Sequence, residues 1–192
     1  MSTAAIPRRT PVLADSIPGA RARDLGLVLA GAAFIAVAGY VAIPLPFTPV
    51  PLSLATFAVL LTGAALGPAR GASSAGLYLL VGLVGVPVFA GGGSGWAFSS
   101  FGYIVGYVLA AAVVGLLARR RADRGVWSTL GLAALGTATI YACGVPWLAI
   151  FLSLDLATAL AFGVLPFLIG DTIKLIATAV ALPSAWKALG SA

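Results

Sequence analysis

The chain has 192 residues, of which 61% are hydrophobic and only 8% are charged, and all of its acidic residues are aspartate. Soluble domains carry about a quarter charged residues, so this composition excludes a soluble domain and predicts an integral membrane protein. The absence of histidine and the single cysteine, Cys143, exclude an intrachain disulfide and argue against a metal site of imidazole or thiolate ligands.

The net charge of +6 arises largely from arginines in two stretches, 8–23 and 119–124, which are separated by long uncharged segments. This spacing follows the positive-inside rule for cytoplasmic loops, and it predicts that both termini are cytoplasmic. Alternatively, the 119–124 cluster specifically recognises anionic lipid headgroups. Membrane lipid is therefore an expected partner of these arginines, and nucleic acid is not.

Residues 1–24 contain three prolines and four arginines but no long apolar run, which predicts a polar cytoplasmic tail. Asp24 is placed to cap a first helix that begins at Leu25. Residues 25–190 are predicted to form a single transmembrane domain of six helices. In the first helix, Ala32 and Ala36 form a small-residue pair that lets a second helix approach, either within the bundle or from a partner.

Four prolines within residues 44–51 are incompatible with a regular helix and predict a stiff apolar loop, which carries Phe47. This loop either covers a cavity or lies on the lipid. The second and third spans are predicted at 52–66 and 71–89. A glycine-rich loop follows at 90–96 on the same, outer side, and it lacks the lysine signature of a phosphate-binding loop.

The fourth span carries Tyr103 near its outer end, either as an interfacial anchor or with its hydroxyl directed into a pocket. The fifth span, predicted at 128–150, is expected to be interrupted near Pro146. A broken segment follows, in which Asp155 caps a helix or is solvated. The sixth span is predicted to begin near Pro166.

In the sixth span, Asp171 and Lys174 place a carboxylate and an ammonium three residues apart in an otherwise apolar run. Residues i and i+3 share a helix face, and a rise of about 1.5 Å per residue from Lys187 puts the pair in the outer half of the bilayer. Charged groups at such depth normally face a cavity, a partner or the bundle interior. The residues alone leave open whether this pair binds a small polar ligand or only joins helices.

Four motifs resemble, in order, those of the BioY family: PFTPVP at 46–51, LTGAALGP at 61–68, GLVGVPVFAGG at 82–92 and PFLIGDTIK at 166–174. BioY proteins are the biotin-binding membrane subunits, or S components, of energy-coupling factor (ECF) transporters. The resemblance implies an all-α, S-component-like bundle of six transmembrane helices in the bacterial cell membrane, which captures biotin from outside. It also implies two further partners, a transmembrane coupling subunit and a pair of ATPases.

The resemblance also implies a binding site. Asp171 and Lys174 match the aspartate and lysine with which the family contacts biotin. Phe47 and Phe89 suit the apolar ring and tail of this ligand, and Tyr103 follows the glycine-rich loop on the same side of the membrane. The metal and catalytic sites are expected to be absent, and no cofactor is implied apart from biotin as the transported ligand.

Two further assignments depend on the resemblance. Gly93 stands at a loop position where family members often have a polar residue, and Ala32 and Ala36 match the small residues on which the family docks its coupling subunit. The sequence contains no Walker motif, so the chain is expected to be a transporter subunit and not an ATPase. The alternative is a self-sufficient carrier for biotin or a related vitamin, coupled to protons through Asp171.

Overall fold

The computed structural model describes residues 11–17 and 21–190. This part of the chain forms a helical bundle, in which α4 is central and packs against α2, α3 and α5. The helices are α1 (Arg21–Tyr40), α2 (Ala55–Leu66), α3 (Pro68–Leu83), α4 (Phe101–Ala118), α5 (Val126–Leu152), α6 (Leu156–Gly163) and α7 (Leu168–Ala188).

Four helical segments of the described chain are long and apolar enough to cross a membrane: α1, α4, α5 and the segment Leu156–Ala188. The last of these combines α6 and α7, which are joined by a 3-10 turn at Leu165–Phe167. The shorter α2 and α3 have 12 and 16 residues and complete six helical segments. The predicted all-α membrane fold is confirmed, whereas the number of full crossings and the cytoplasmic position of the termini stay predictions.

The two ends of the bundle differ in chemistry. The arginine end carries Arg70, the cluster 119–124 and Lys187. The opposite end, here called the cavity end, carries the proline-rich loop 44–51 and the glycine-rich loop 90–96. A two-residue antiparallel ladder between β1 (Ala42–Ile43) and β2 (Leu52–Ser53) closes the base of the proline-rich loop.

Several predicted helix boundaries are wrong. The second span begins at Ala55, because residues 52–53 pair as a strand. The third ends at Leu83 and not at 89, since Gly85 adopts a φ of +100° that ends the helix and turns the chain back toward the bundle. The fifth continues through Pro146 without interruption. In contrast, Asp155 does cap α6, because its carboxylate accepts a hydrogen bond from the Thr158 amide at 3.0 Å.

Of the polar tail predicted at 1–24, residues 1–10 and 18–20 lie outside the described residues, whereas the described segment 11–17 packs on the arginine end. Val12 is fully buried in an apolar cluster with Leu60 and Leu182, and Ala14 is also buried. Apolar residues of this short segment therefore close the arginine end. The sequence does not show this role, because these residues stand among many polar ones.

Ion pairs hold this segment against the bundle. Arg70 binds the carboxylates of Asp15 and Asp24, and Asp24 also accepts from Arg23. Burial raises the pKa of Asp15, but the hydrogen bond and positive charge of Arg70 outweigh it, so this pKa lies below its ordinary value. Helix α1 begins at Arg21, so Asp24 lies in its first turn and is not the cap that was predicted.

A second contact joins α7 to the turn between α4 and α5. The indole of Trp186 is buried and donates a hydrogen bond to Asp123 at 2.6 Å. The guanidinium carbon of Arg124 lies 4.0 Å from the centroid of the Trp186 ring, a cation–π contact. Burial raises the pKa of the Asp123 carboxyl, and the hydrogen bond from Trp186 opposes this shift.

We expect Val12→Asp to lower the melting temperature of the purified protein in detergent, because it places a charge in a fully buried apolar contact. Ile17→Asp is the matched control, since Ile17 belongs to the same segment but is 48% exposed. Thermal unfolding of the two variants should therefore differ clearly. Equal melting temperatures would contradict the proposed packing of the segment.

Candidate binding site

A cavity of about 290 Å³ lies at the cavity end, between the helices and the two loops. Its walls come from α2, α3, α4, α5 and α7, and they are mainly apolar and aromatic. Five of the predicted site residues line it: Phe89, Gly93, Tyr103, Asp171 and Lys174. The structure thus brings together residues that are separated by up to 85 positions in the sequence.

The charged pair forms the polar pole of the cavity. The Nζ of Lys174 lies 2.9 Å from the Oδ1 of Asp171, and both residues are only 7% exposed. Lys174 also donates to the Oγ1 of Thr56 in α2 at 3.0 Å. Tyr141 in α5 donates its hydroxyl proton to the Oδ2 of Asp171. Three helices therefore meet at this ion pair.

The start of α7 favours a carboxylate at this position. Asp171 lies in the first turn of the helix, where the exposed amides and the helix dipole stabilise negative charge. One turn further along, the Thr178 hydroxyl donates to the Lys174 carbonyl at 2.8 Å and is fully buried. Local structure and tertiary contacts thus support the same pair.

The pair has unused hydrogen-bonding capacity. An ammonium has three donors, and Nζ contacts two acceptors among the described residues. Each oxygen of Asp171 accepts one hydrogen bond there, although a carboxylate can accept about four. The pole can therefore accept a hydrogen bond from a ligand and donate one to it at adjacent positions.

Phe89 forms part of the apolar wall of the cavity. Its ring packs edge-on to Tyr78 at 5.2 Å and lies 5.8 Å from Phe98. It also covers Gly82, where a Cβ atom would lie only 2.0 Å from the ring. The glycine is therefore required for Phe89 to reach the interior, and the Phe89 amide donates to the Gly93 carbonyl at 3.0 Å to fix the loop.

The proline-rich loop covers the cavity, which decides between the two predictions for it. Its residues 49–52 line the cavity, with Val50 buried. The Thr48 hydroxyl donates to the Phe162 carbonyl at 2.7 Å, and the Ser99 hydroxyl donates to the Pro49 carbonyl at 2.9 Å. Phe47 is 60% exposed and is not among the residues lining the cavity. Val50 occupies the inward position instead.

Tyr103 lines the cavity with its ring, while its hydroxyl is engaged elsewhere. This hydroxyl donates to the carbonyl of Gly163 at the end of α6, at a distance of 2.9 Å. The ring contacts Tyr141 edge-on, with centroids 6.3 Å apart. Tyr103 therefore supports the wall between α4 and α6, and its hydroxyl proton is not directed at a ligand in this structure.

Ala32 and Ala36 pack within the protein's own bundle. Ala32 is buried in the main apolar cluster, and Ala36 is half-buried against it. The exposed residues of α1 include the larger Phe34 and Val37 as well as Ala30 and Ala33. The docking role of the two alanines stays a prediction.

Sequence reasoning missed several hydroxyl groups at the cavity, among them those of Thr56, Tyr78, Tyr107 and Tyr141. Only Tyr107 had a usable signal, since it lies one helical turn after Tyr103 and so shares its face. The others are single polar residues in apolar helices, and a sequence does not show which way such helices face. Among the described residues, no group of three or more potential metal ligands is found.

Three comparisons relate the chain to known proteins. The sequence profile described as "BioY family" matches residues 9–191. The chain is 37% identical to a "Biotin transporter BioY" of Thermotoga maritima, covering 77% of this chain and 86% of that protein. It is 34% identical to a "Biotin transporter BioY" of Rhizobium etli, covering 82% and 90% respectively.

A solved structure with the same fold is described as the S-component for biotin from an ECF-type ABC transporter. It superposes with a TM-score of 0.79 at 29% sequence identity, covering 87% of this chain and 92% of that chain. These relatives are named as transporters or transporter subunits and not as enzymes, in agreement with the sequence analysis.

We expect Lys174→Met to lower the melting temperature more than the double variant Asp171→Asn/Lys174→Met. Removing one partner of a buried ion pair leaves an unpaired charge and costs about 3–5 kcal/mol, whereas neutralising both partners costs far less. Asp155→Asn is the control, because Asp155 is exposed at the same end of the bundle. A single variant as stable as the double variant would show that the two charges do not stabilise each other.

Proposed function

The chain belongs to the BioY family, and from this membership we propose that it captures biotin in the cavity and delivers it through an ECF-type, ATP-driven importer. It is a multi-pass protein of the bacterial cell membrane and a transport protein. The observation that carries the proposal is the buried Asp171–Lys174 pair, with a donor and an acceptor 2.9 Å apart at the wall of a mainly apolar cavity.

The chemistry of the pair matches a cyclic urea. The ureido group of biotin is neutral and carries N–H donors beside a carbonyl acceptor. Asp171 can accept from an N–H group while Lys174 donates to the ureido oxygen, so both protein charges keep a partner when the ligand enters. Because the pair has no net charge, it favours such a neutral group over an anion, which would face the Asp171 carboxylate.

The rest of the cavity suits the apolar part of biotin. Val50, Phe89 and Phe167 are buried and present hydrocarbon surface to the cavity. Burying the thioether ring and the alkyl chain of the ligand against these side chains removes apolar surface from water. The cavity volume of about 290 Å³ lies at the lower limit of typical small-molecule sites, as expected for a vitamin-sized ligand.

Energy for transport is proposed to come from partner chains. The sequence has no Walker motif, and the solved relative is described as a component of an ECF-type ABC transporter. Helix α1 is the proposed surface for the coupling subunit, because it lies at the edge of the bundle and exposes an apolar face that includes Leu29, Phe34 and Val37. In this arrangement Ala32 and Ala36 would border the contact.

We expect the purified protein in detergent to bind biotin with micromolar or tighter affinity by isothermal titration calorimetry. Asp171→Asn and Lys174→Met should each weaken binding at least about tenfold, because each leaves a ligand group or the remaining charge without its partner. Asp155→Asn serves as the matched control and should bind as the wild type does. Absence of binding by the wild type would overturn the assignment of biotin.

A transport experiment separates the importer subunit from a self-sufficient carrier. In proteoliposomes that contain only this chain, we expect no biotin accumulation, whereas adding a coupling subunit and its ATPases should give ATP-dependent uptake. Accumulation driven by an imposed proton gradient, and lost in Asp171→Asn, would instead favour the proton-coupled carrier. Vesicles without protein give the background for both measurements.

A further inference from the structure

Two buried tyrosine hydroxyls at the cavity make no hydrogen bond to the protein residues that the structure describes. Tyr78 in α3 and Tyr107 in α4 line the cavity and are only 3% and 6% exposed. Within residues 11–17 and 21–190, neither hydroxyl makes a hydrogen bond to the protein. Neither oxygen is among the fully enclosed unpartnered atoms of the described residues, and the Tyr78 hydroxyl lies near Gly39 of α1. Buried hydroxyls are normally satisfied, so two unpartnered hydroxyls on residues that line a cavity point to a ligand.

These two tyrosines form a second polar pole on a different wall from the ion pair. Helix α7 packs against α5 and α2, which supply Tyr141 and Thr56 to the charged pole. Tyr78 and Tyr107 come from α3 and α4, which pack against each other, and their rings stack with centroids 6.4 Å apart. The apolar ring of Phe89 contacts Tyr78 beside them.

We propose that Tyr78 and Tyr107 form the subsite that binds the carboxylate of the ligand. This inference rests on the proposed function, because it assumes that the Asp171–Lys174 pair takes the neutral ureido group. At that pole an anionic tail would lie beside the Asp171 carboxylate, which repels it. The tyrosines carry no negative charge, and their hydroxyl protons are not committed to any described protein acceptor, so they can donate charge-assisted hydrogen bonds to a carboxylate.

The other hydroxyl groups of the cavity are weaker candidates. Those of Tyr103, Ser99 and Ser53 already donate to backbone carbonyls. Those of Tyr141 and Thr56 belong to the charged pole. Ser100 and Thr137 are only half-buried, so solvent can satisfy them without a ligand. No second cation lines the cavity within the described chain. Tyr78 and Tyr107 are therefore the donors that a carboxylate on this wall would meet.

The first test varies the ligand with the wild-type protein. We would titrate the purified full chain with biotin and with biotinol, in which the carboxylate is replaced by a neutral alcohol. The proposal expects biotin to bind at least about tenfold more tightly, the effect of losing charge-assisted hydrogen bonds in a buried site. Equal affinity for the two ligands would overturn it, and this result does not depend on any variant folding correctly.

The second test varies the protein. Tyr78→Phe and Tyr107→Phe remove one oxygen each, and the double variant should lose most of the preference for biotin over biotinol, because a carboxylate loses stronger hydrogen bonds than an alcohol does. Tyr103→Phe is the matched control, because its hydroxyl is bonded to Gly163 and its removal should affect both ligands by the same factor. A double variant that retains the full preference would overturn the carboxylate subsite.

The outcomes distinguish this inference from the proposed function. A wild-type protein that binds neither biotin nor biotinol overturns both together. A wild-type protein that binds biotin, and whose binding requires Asp171 and Lys174, supports the proposed function. If that protein also keeps its preference for the carboxylate after both tyrosine hydroxyls are removed, the subsite alone is overturned.

Discussion

Burying a carboxylate and an ammonium inside an apolar helix bundle imposes requirements on the surrounding structure. Two charges removed from water need a close partner and further hydrogen bonds, or the fold is destabilised. Here Asp171 and Lys174 supply each other, while Tyr141 and Thr56 add bonds from α5 and α2. The pair therefore fixes how three helices meet. The lone pairs of Asp171 and the donor of Lys174 that remain unused make it a site for a polar ligand.

The polar groups at the two ends of the bundle differ in how their hydrogen bonds are satisfied. At the arginine end, Val12 fills an apolar contact and Arg70 joins Asp15 and Asp24 in an ion-pair network. Trp186 and Asp123 add a buried hydrogen bond that ties α7 to the neighbouring turn. These contacts satisfy polar groups internally and close that end. At the cavity end, by contrast, hydroxyl groups and the charged pair face open space.

Loops without charge complete the cavity end. The proline-rich loop is stiff because each proline restricts its own φ and the residue before it, and hydrogen bonds from Thr48 and Ser99 anchor it over the cavity. The segment after α3 turns at Gly85 and returns Phe89 to the interior above Gly82. Apolar loops of this kind can exclude water from the pair, which strengthens its electrostatic interaction with a ligand.

By itself, the sequence determined the membrane class, the helical fold and the placement of Asp171 and Lys174 on one helix face, because hydrophobic composition and i, i+3 spacing are local properties. The four ordered motifs also identified the family. Only the tertiary structure decided that Val50 and not Phe47 faces the cavity, and that Val12 is buried. It also decided that Tyr78, Tyr107 and Tyr141 line the cavity. In uniformly apolar helices, no periodic pattern distinguishes the lipid face from the cavity face, so packing alone assigns these side chains.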